Sequence, residues 1–285
     1  MDFLFTIAGF LVGFIIGMTG VGGGSLMTPI LVLGFSIPPV IAVGTDLLYA
    51  AITKSVGVFA HQKHGNIKWK VVALLSMGSI PASICSIFII KHLNIAGINY
   101  DQLILSSLSF AMILTATFLI FRNQWHKLSK NEHFAFVKIL HKKFTNLFTI
   151  FAGILIGTLV TFSSVGAGVI GAAFLFFLYP RYKTIEVVAT DLAHAIPITA
   201  IAGIGHANLG SVDYILLLSL IIGSFVMIPF YRSAARSLGE FSGSQWGWMI
   251  YTALAGTVLA YYLWYWALQR LEANKTMSYN YAVPI

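Results

Sequence analysis

Two aspartates stand inside otherwise apolar stretches of this chain, Asp46 in GTDLLYA and Asp191 in ATDLAHA. A carboxylate at membrane depth costs about 2.5–3.5 kcal/mol on insertion scales, so it usually faces a cavity or a partner. The competing role is a helix N-cap, because each aspartate lies close to its expected helix start. Lys54 follows Asp46 in the same apolar stretch. It can pair with Asp46, supply the positive partner of an anion, or snorkel to the nearer membrane face. His194 falls three residues after Asp191 and on the same helical face. It is either a packed core histidine or a group that exchanges protons with Asp191. Ser25, Thr45, Ser163, Ser164 and Thr190 offer hydroxyl donors for an oxyanion.

The second chemical feature is a glycine cluster, GMTGVGGGS, from Gly17 to Ser25. Gly20, Gly22, Gly23 and Gly24 follow the apolar run from Phe3 to Met18. Each glycine inside a helix costs roughly 1 kcal/mol relative to alanine, so the cluster should break the helix. Backbone can leave helical form at membrane depth only where protein or a watery cavity satisfies it. Bare N–H groups at such a break bind anions. Close helix packing is the other use of such glycines. No phosphate loop is present, since no Gly-Lys-Ser/Thr follows.

Composition places these residues in a membrane. Of 285 residues, 58% are hydrophobic and 9% charged. Mean hydropathy is +0.86. That pattern describes an all-α polytopic membrane protein. The net charge of +8 comes largely from basic residues between apolar spans, which reflects membrane orientation and not nucleic-acid binding. Cys85 is the single cysteine, which excludes a disulfide framework or redox pair. HxxxH and HExxH are absent, so no metal and no cofactor are expected. The N-terminal stretch lacks a basic n-region and reads as a first membrane segment, not a cleaved signal.

In chain order, Leu26 to Phe35 is too short to cross a bilayer alone. With Phe3–Met18 it predicts a glycine-broken hairpin, re-entrant in one reading. Val40–Ala60, Val71–Ile90 and Leu103–Phe121 predict spans. Arg122 to Phe144 carries six basic residues against Glu132 and predicts a solvated linker. The pattern then restarts. Gly9, Gly13, Gly22 and Gly24 fall on Gly153, Gly157, Gly166 and Gly168, each 144 residues later. After one inserted residue, Asp46 falls on Asp191, His61 on His206 and Gly65 on Gly210. Agreement over about eighty residues indicates internal duplication. His61 and His206, at matching helix ends, are expected at the membrane interface. Pro81, Pro197 and Pro229 lie within apolar spans and predict kinks.

Loop charge sets the orientation. Lys63, Lys68 and Lys70 lie in a turn whose second-half counterpart, His206 to Val212, has no Lys or Arg. Conversely, Ser36–Pro39 is uncharged while its counterpart carries Arg181 and Lys183. A swapped bias predicts inverted repeats. The linker is then cytoplasmic and the N-terminus external. The expected organisation is a first repeat with connecting helix over 1–121 and a basic linker over 122–147. A second repeat follows over 148–231, then an atypical C-terminal helix and tail over 241–285. About seven to nine membrane segments are expected.

At this point the stretches GVGGGSLMTP, GTDLLYAAITKSVG, HGNIKWK and GSIPAS resemble the TauE/SafE family of sulfite exporters and toluene-sulfonate uptake permeases. SSVGAGVIG, YPR, ATDLAHAIPIT, GIGHANLGSVD and GSFVMIP carry the resemblance in the second half, over about residues 5–230 in all. The resemblance implies an inner-membrane, multi-pass permease for small sulfur-containing or carboxylic anions. The tail instead resembles the ALxGTxxAYxLWxxAL stretch of EamA-type drug/metabolite transporters and stops where that family would continue. The expected substrate site comprises Gly20, Gly22, Gly23, Gly24, Ser25, Thr45, Lys54, Ser163, Ser164, Gly166, Gly168 and Thr190. Asp46, Asp191 and His194 are the expected proton-coupling or cavity residues. The expected partners are a small anion and the bilayer, not nucleic acid. The alternatives are an anion channel of the same fold, or a membrane assembly factor or enzyme.

Overall fold

The computed structural model describes residues 24–63, 65–121 and 144–226, all within one compact unit. The segment Phe3–Met18, most of the first glycine cluster, the linker and the tail lie outside the described residues. Pro229 lies outside them as well.

The described chain is helical. Helix α1, Gly24–Pro29, runs directly into a π-helical turn at Ile30–Gly34. Helix α2 spans Pro39–Lys63. Proline at its first position needs no N–H partner there, and the ring presets the helical φ. Helix α3 spans Trp69–Ile95 and closes on Gly97, whose φ of +67° suits a residue without Cβ. Helix α4 spans Asp101–Ile120. The Asn99 side chain accepts from the Asp101 N–H at 2.9 Å and so starts it.

Helix α5, Thr145–Ser163, ends on Ser164 in the left-handed region, φ +57°. The backbone then passes through Gly166 at +129° and Gly168 at +139°, which L side chains rarely adopt. Helix α6, Val169–Leu178, begins at once. Its ten residues rise only about 15 Å. The Thr149 hydroxyl near the start of α5 meets the Tyr179 hydroxyl after α6 at 2.8 Å. The two helices therefore fold back on each other around a glycine break.

Helix α7 spans Thr184–Asn208. Glu186 reaches back to accept from the Lys183 N–H at 2.9 Å, the carboxylate half of a capping box. Helix α8, Tyr214–Val226, is capped by Asp213, whose Oδ1 accepts from the N–H groups of Ile215 and Leu216. Helices α2 and α7 begin 145 residues apart, as do α3 and α8. Gly65 and Gly210, both at positive φ, mark the turns between them.

Five of these helices, α2, α3, α4, α5 and α7, contain stretches long and apolar enough to cross a membrane. The core lies where α2, α3, α5 and α7 meet, around Val43, Leu47, Leu75, Ile156 and Ile198. Met77, Phe88, Ile113 and Phe151 point outward, as expected of lipid-facing side chains. Helices α3 and α5 approach closely because three glycines permit it. A Cβ on Gly78 would collide with the backbone of Ile150, one on Gly153 with Leu75, and one on Gly157 with Ser79. These are packing glycines in the small-residue sense. Helices α3 and α7 continue through Pro81 and Pro197.

Candidate functional site

Helix α2 presents Asp46 two turns beyond its start, too deep for an N-cap. The carboxylate is buried, and its Oδ2 accepts two hydroxyl hydrogen bonds. Thr28 of α1 donates at 2.6 Å and Ser164 of the glycine break at 2.9 Å. One aspartate thus holds the short helix after the first glycine cluster to the second break. Its Oδ1 is buried without a partner.

Lys54 extends from the same helix into the break. Its Nζ donates to the Ala167 carbonyl at 3.0 Å. The side chain is 8% exposed, so it does not snorkel to a membrane face. The carbonyl is accessible because the Gly166 and Gly168 torsions interrupt helical bonding there. Lys54 also interacts electrostatically with both Asp46 and Asp191. Two carboxylates and one ammonium therefore share an apolar interior. They carry one excess negative charge when all are ionised.

Asp191 is buried on α7, and its Oδ1 has no partner. It lies against Gly171 of α6, where an added Cβ would collide with that oxygen. His194 does not bond to Asp191. Its Nε2 meets Ser79 Oγ at 2.9 Å, while its Nδ1 is buried and unpartnered. His206 stands in the last turn of α7. It is fully buried, with Nε2 at 3.0 Å from the Thr161 carbonyl, because Gly44 lets the 206–211 turn sit against α2.

The hydroxyls of three other expected site residues have partners elsewhere. Thr45 accepts from the Asp213 N–H at 3.0 Å. Thr190 accepts from the Lys68 N–H at 3.1 Å and donates to the Glu186 carbonyl. Both hydroxyls tie helices to turns near the two ends of the molecule. Ser163 is occupied by the Leu159 carbonyl and the Val165 N–H. Gly20, Gly22 and Gly23 lie outside the described residues, as does the Ser25 side chain. Sequence reasoning passed over Thr28 and the Ala167 carbonyl. Thr28 is a hydroxyl beside Pro29 in a short apolar helix, a weak signal. A backbone acceptor leaves no signal in residue type.

A cavity of about 450 Å³ opens elsewhere, at helix ends. Val40, Ile41, Asn94, Asn99, Tyr100 and Ser211 contribute to its lining. The opposite end carries Lys68 and Glu186, paired at 2.7 Å. That hydrogen bond holds the Lys68 ammonium above its ordinary pKa.

Apolar spans around a buried ionisable cluster define a multi-pass helical membrane protein. The chain belongs to the TauE/SafE sulfite exporter family, whose model matches residues 5–261. The match runs beyond residue 230, where the noted resemblance stops, and into the tail. A Bacillus subtilis relative bearing the name "Probable membrane transporter protein YjnA" is 35% identical over 216 residues, 76% of this chain and 83% of the relative. "Probable membrane transporter protein YdhB" of the same organism is 29% identical over 225 residues, 75% and 82% of the two chains. "Probable membrane transporter protein MJ0441" of Methanocaldococcus jannaschii is 29% identical over 207 residues, 70% of each. No solved structure matches the chain. The protein is a membrane transporter of this family, and the family is not one of enzymes.

Proposed function

We propose that the protein is a secondary carrier of small anions, of the sulfite, sulfonate or carboxylate class, working by alternating access between two inverted repeats. The observation that carries this reading is the buried Lys54 ammonium held on a carbonyl of the glycine break. A cation bound to a neutral acceptor keeps its charge available for an anion. The N–H groups of the break would donate to that anion, with Ser164 turning its proton from Asp46 to join them and Gly20, Gly22, Gly23 and Gly24 supplying the matching surface. Asp46, Asp191 and His194 would couple protons, since an arriving anion changes the charge balance of the trio.

Reciprocal contacts support the repeat reading. Thr45 touches Asp213 and Thr190 touches Lys68, and each residue lies 145 positions from its counterpart. Such exchange of partners is what a two-fold relation produces. The family resemblance supports the anion class. On this reading the 122–147 linker and the Lys68 turn are cytoplasmic.

The test is counterflow in proteoliposomes with labelled sulfite, ethanesulfonate, thiosulfate and acetate, beside thermal shift of the purified protein. A carrier gives uptake accelerated by internal substrate, and its ligand raises the melting temperature. Failure of all four anions in both assays overturns the substrate class. Flux that follows voltage without counterflow selects a channel instead.

A further inference from the structure

The two ends of the molecule repeat one contact and differ in another. At one end, the backbone N–H of Lys68 donates to Thr190. At the other, the backbone N–H of Asp213 donates to Thr45. Lys68 and Asp213 are counterparts 145 residues apart, as are Thr45 and Thr190. The side chains break this symmetry. Lys68 Nζ lies 2.7 Å from Glu186 Oε1 and 5.5 Å from the centre of the Tyr182 ring, which stacks on Tyr179. On the same offset the counterpart of Glu186 is Ile41, which cannot pair with a charge. Asp213 is instead occupied in capping α8. Ile41 lines the 450 Å³ cavity, so this cavity lies at the end without the ion pair.

Beneath Lys68 and Glu186 lies an apolar plug formed by Val58, Ile67, Val72, Ala189 and Ala193. It is drawn from α2, α7, α3 and the turn before α3. The ion pair bridges the N-termini of α3 and α7, the two elements that must separate for this plug to part. Glu186 is also fixed by the Lys183 N–H, so the acceptor is held in place before Lys68 arrives.

We propose that Lys68, Glu186 and Tyr182 form a clasp that closes one end of the molecule and parts during transport. Resting on the carrier reading, the clasp would bias the molecule toward the state open at the cavity end. Its loss should then raise the population open at the other end.

The test uses impermeant maleimide on membrane vesicles of both orientations, in a Cys85→Ser background because Cys85 is exposed. Cysteine replaces Ala193 in the plug or Val40 at the cavity. Without clasp mutations, Val40→Cys should label and Ala193→Cys should not. Lys68→Met and Glu186→Gln should each speed Ala193→Cys labelling from the clasped side by about fivefold, the upper range for an exposed pair. Gln keeps the cap on Lys183, and melting curves identify variants that misfold. The double charge swap, Lys68→Glu with Glu186→Lys, should slow labelling again in part, since a lysine cannot accept from the Lys183 N–H. High salt should speed labelling only where the pair is intact. Unchanged labelling in both folded single variants overturns the clasp. Cysteines at Gln62 and Asn208 serve the separate question of repeats. If both label from one side, the inverted-repeat reading falls, whatever the clasp variants do.

Discussion

Asp46 and Asp191 occupy matching positions in the two halves, yet their surroundings differ. Asp46 accepts from Thr28 and Ser164 and so joins two separate elements. Asp191 has an unpartnered buried oxygen pressed against Gly171. On the 144-residue offset Gly171 falls on Met27, a residue with a large side chain. The second half seats its carboxylate beside a glycine, whereas the first half gives its carboxylate hydroxyl donors. A carboxylate held by two donors favours one arrangement, while one without donors can change protonation with little rearrangement. The comparison teaches that matching residues can have unlike surroundings: on the proposed carrier reading Asp46 would organise the site and Asp191 would couple protons.

The largest effect should come from the charge that both aspartates share. Lys54→Met removes the cation that faces two buried carboxylates and leaves the Ala167 carbonyl without its donor, and should destabilise by about 3 kcal/mol. Lys54→Gln can still donate to Ala167, so it should fold better while losing anion-induced thermal shift. Equal stability of the two variants would mean that the lysine's charge does not hold the trio together.

Gly171→Ala is the next test. Its Cβ meets Asp191 directly, and overpacking of this kind costs about 1–3 kcal/mol. Combining it with Asp191→Ala should recover most of that loss in melting temperature. No recovery would show that the glycine serves some other contact.

The aspartates themselves should then part company. Asp46→Asn places an NH₂ group either against hydroxyl donors or in a site without an acceptor, costing about 1–3 kcal/mol. Asp191→Asn should cost less stability but flatten the pH dependence of transport. Identical melting and transport profiles for the two variants would erase the division of roles.

The smallest effects belong to the hydroxyls. Thr28→Val and Ser164→Ala should each lower stability by about 1 kcal/mol, and the double variant should be non-additive because both donate to one oxygen. Strict additivity in a denaturation series would argue against a shared acceptor.

Much of this architecture is legible in the sequence. Apolar runs located the spans, since crossing a membrane demands a continuous apolar length. Pairing the halves gave the correspondence of Asp46 with Asp191 and of Gly65 with Gly210, because duplication preserves spacing. The positive-φ break was legible too, as Gly166 and Gly168 follow an apolar helix with Ser163 and Ser164 between. Sequence could not sort the glycines. Gly78, Gly153 and Gly157 are needed for approach by another helix, and Gly166 and Gly168 for torsion.

What the sequence by itself determined is the set of helices, the break and the unusual ionisable residues. These follow from local propensity and from the cost of charge in an apolar medium. Partners were decided only by the tertiary structure. It placed Lys54 on the Ala167 carbonyl, joined α1 to the second glycine break through Asp46, buried His206 against Thr161, and drew Thr45 and Thr190 to opposite ends. Those contacts join residues far apart in the chain, and several end on backbone atoms that every residue carries. A residue's type states what it can bond, while helix packing decides which acceptor comes within reach.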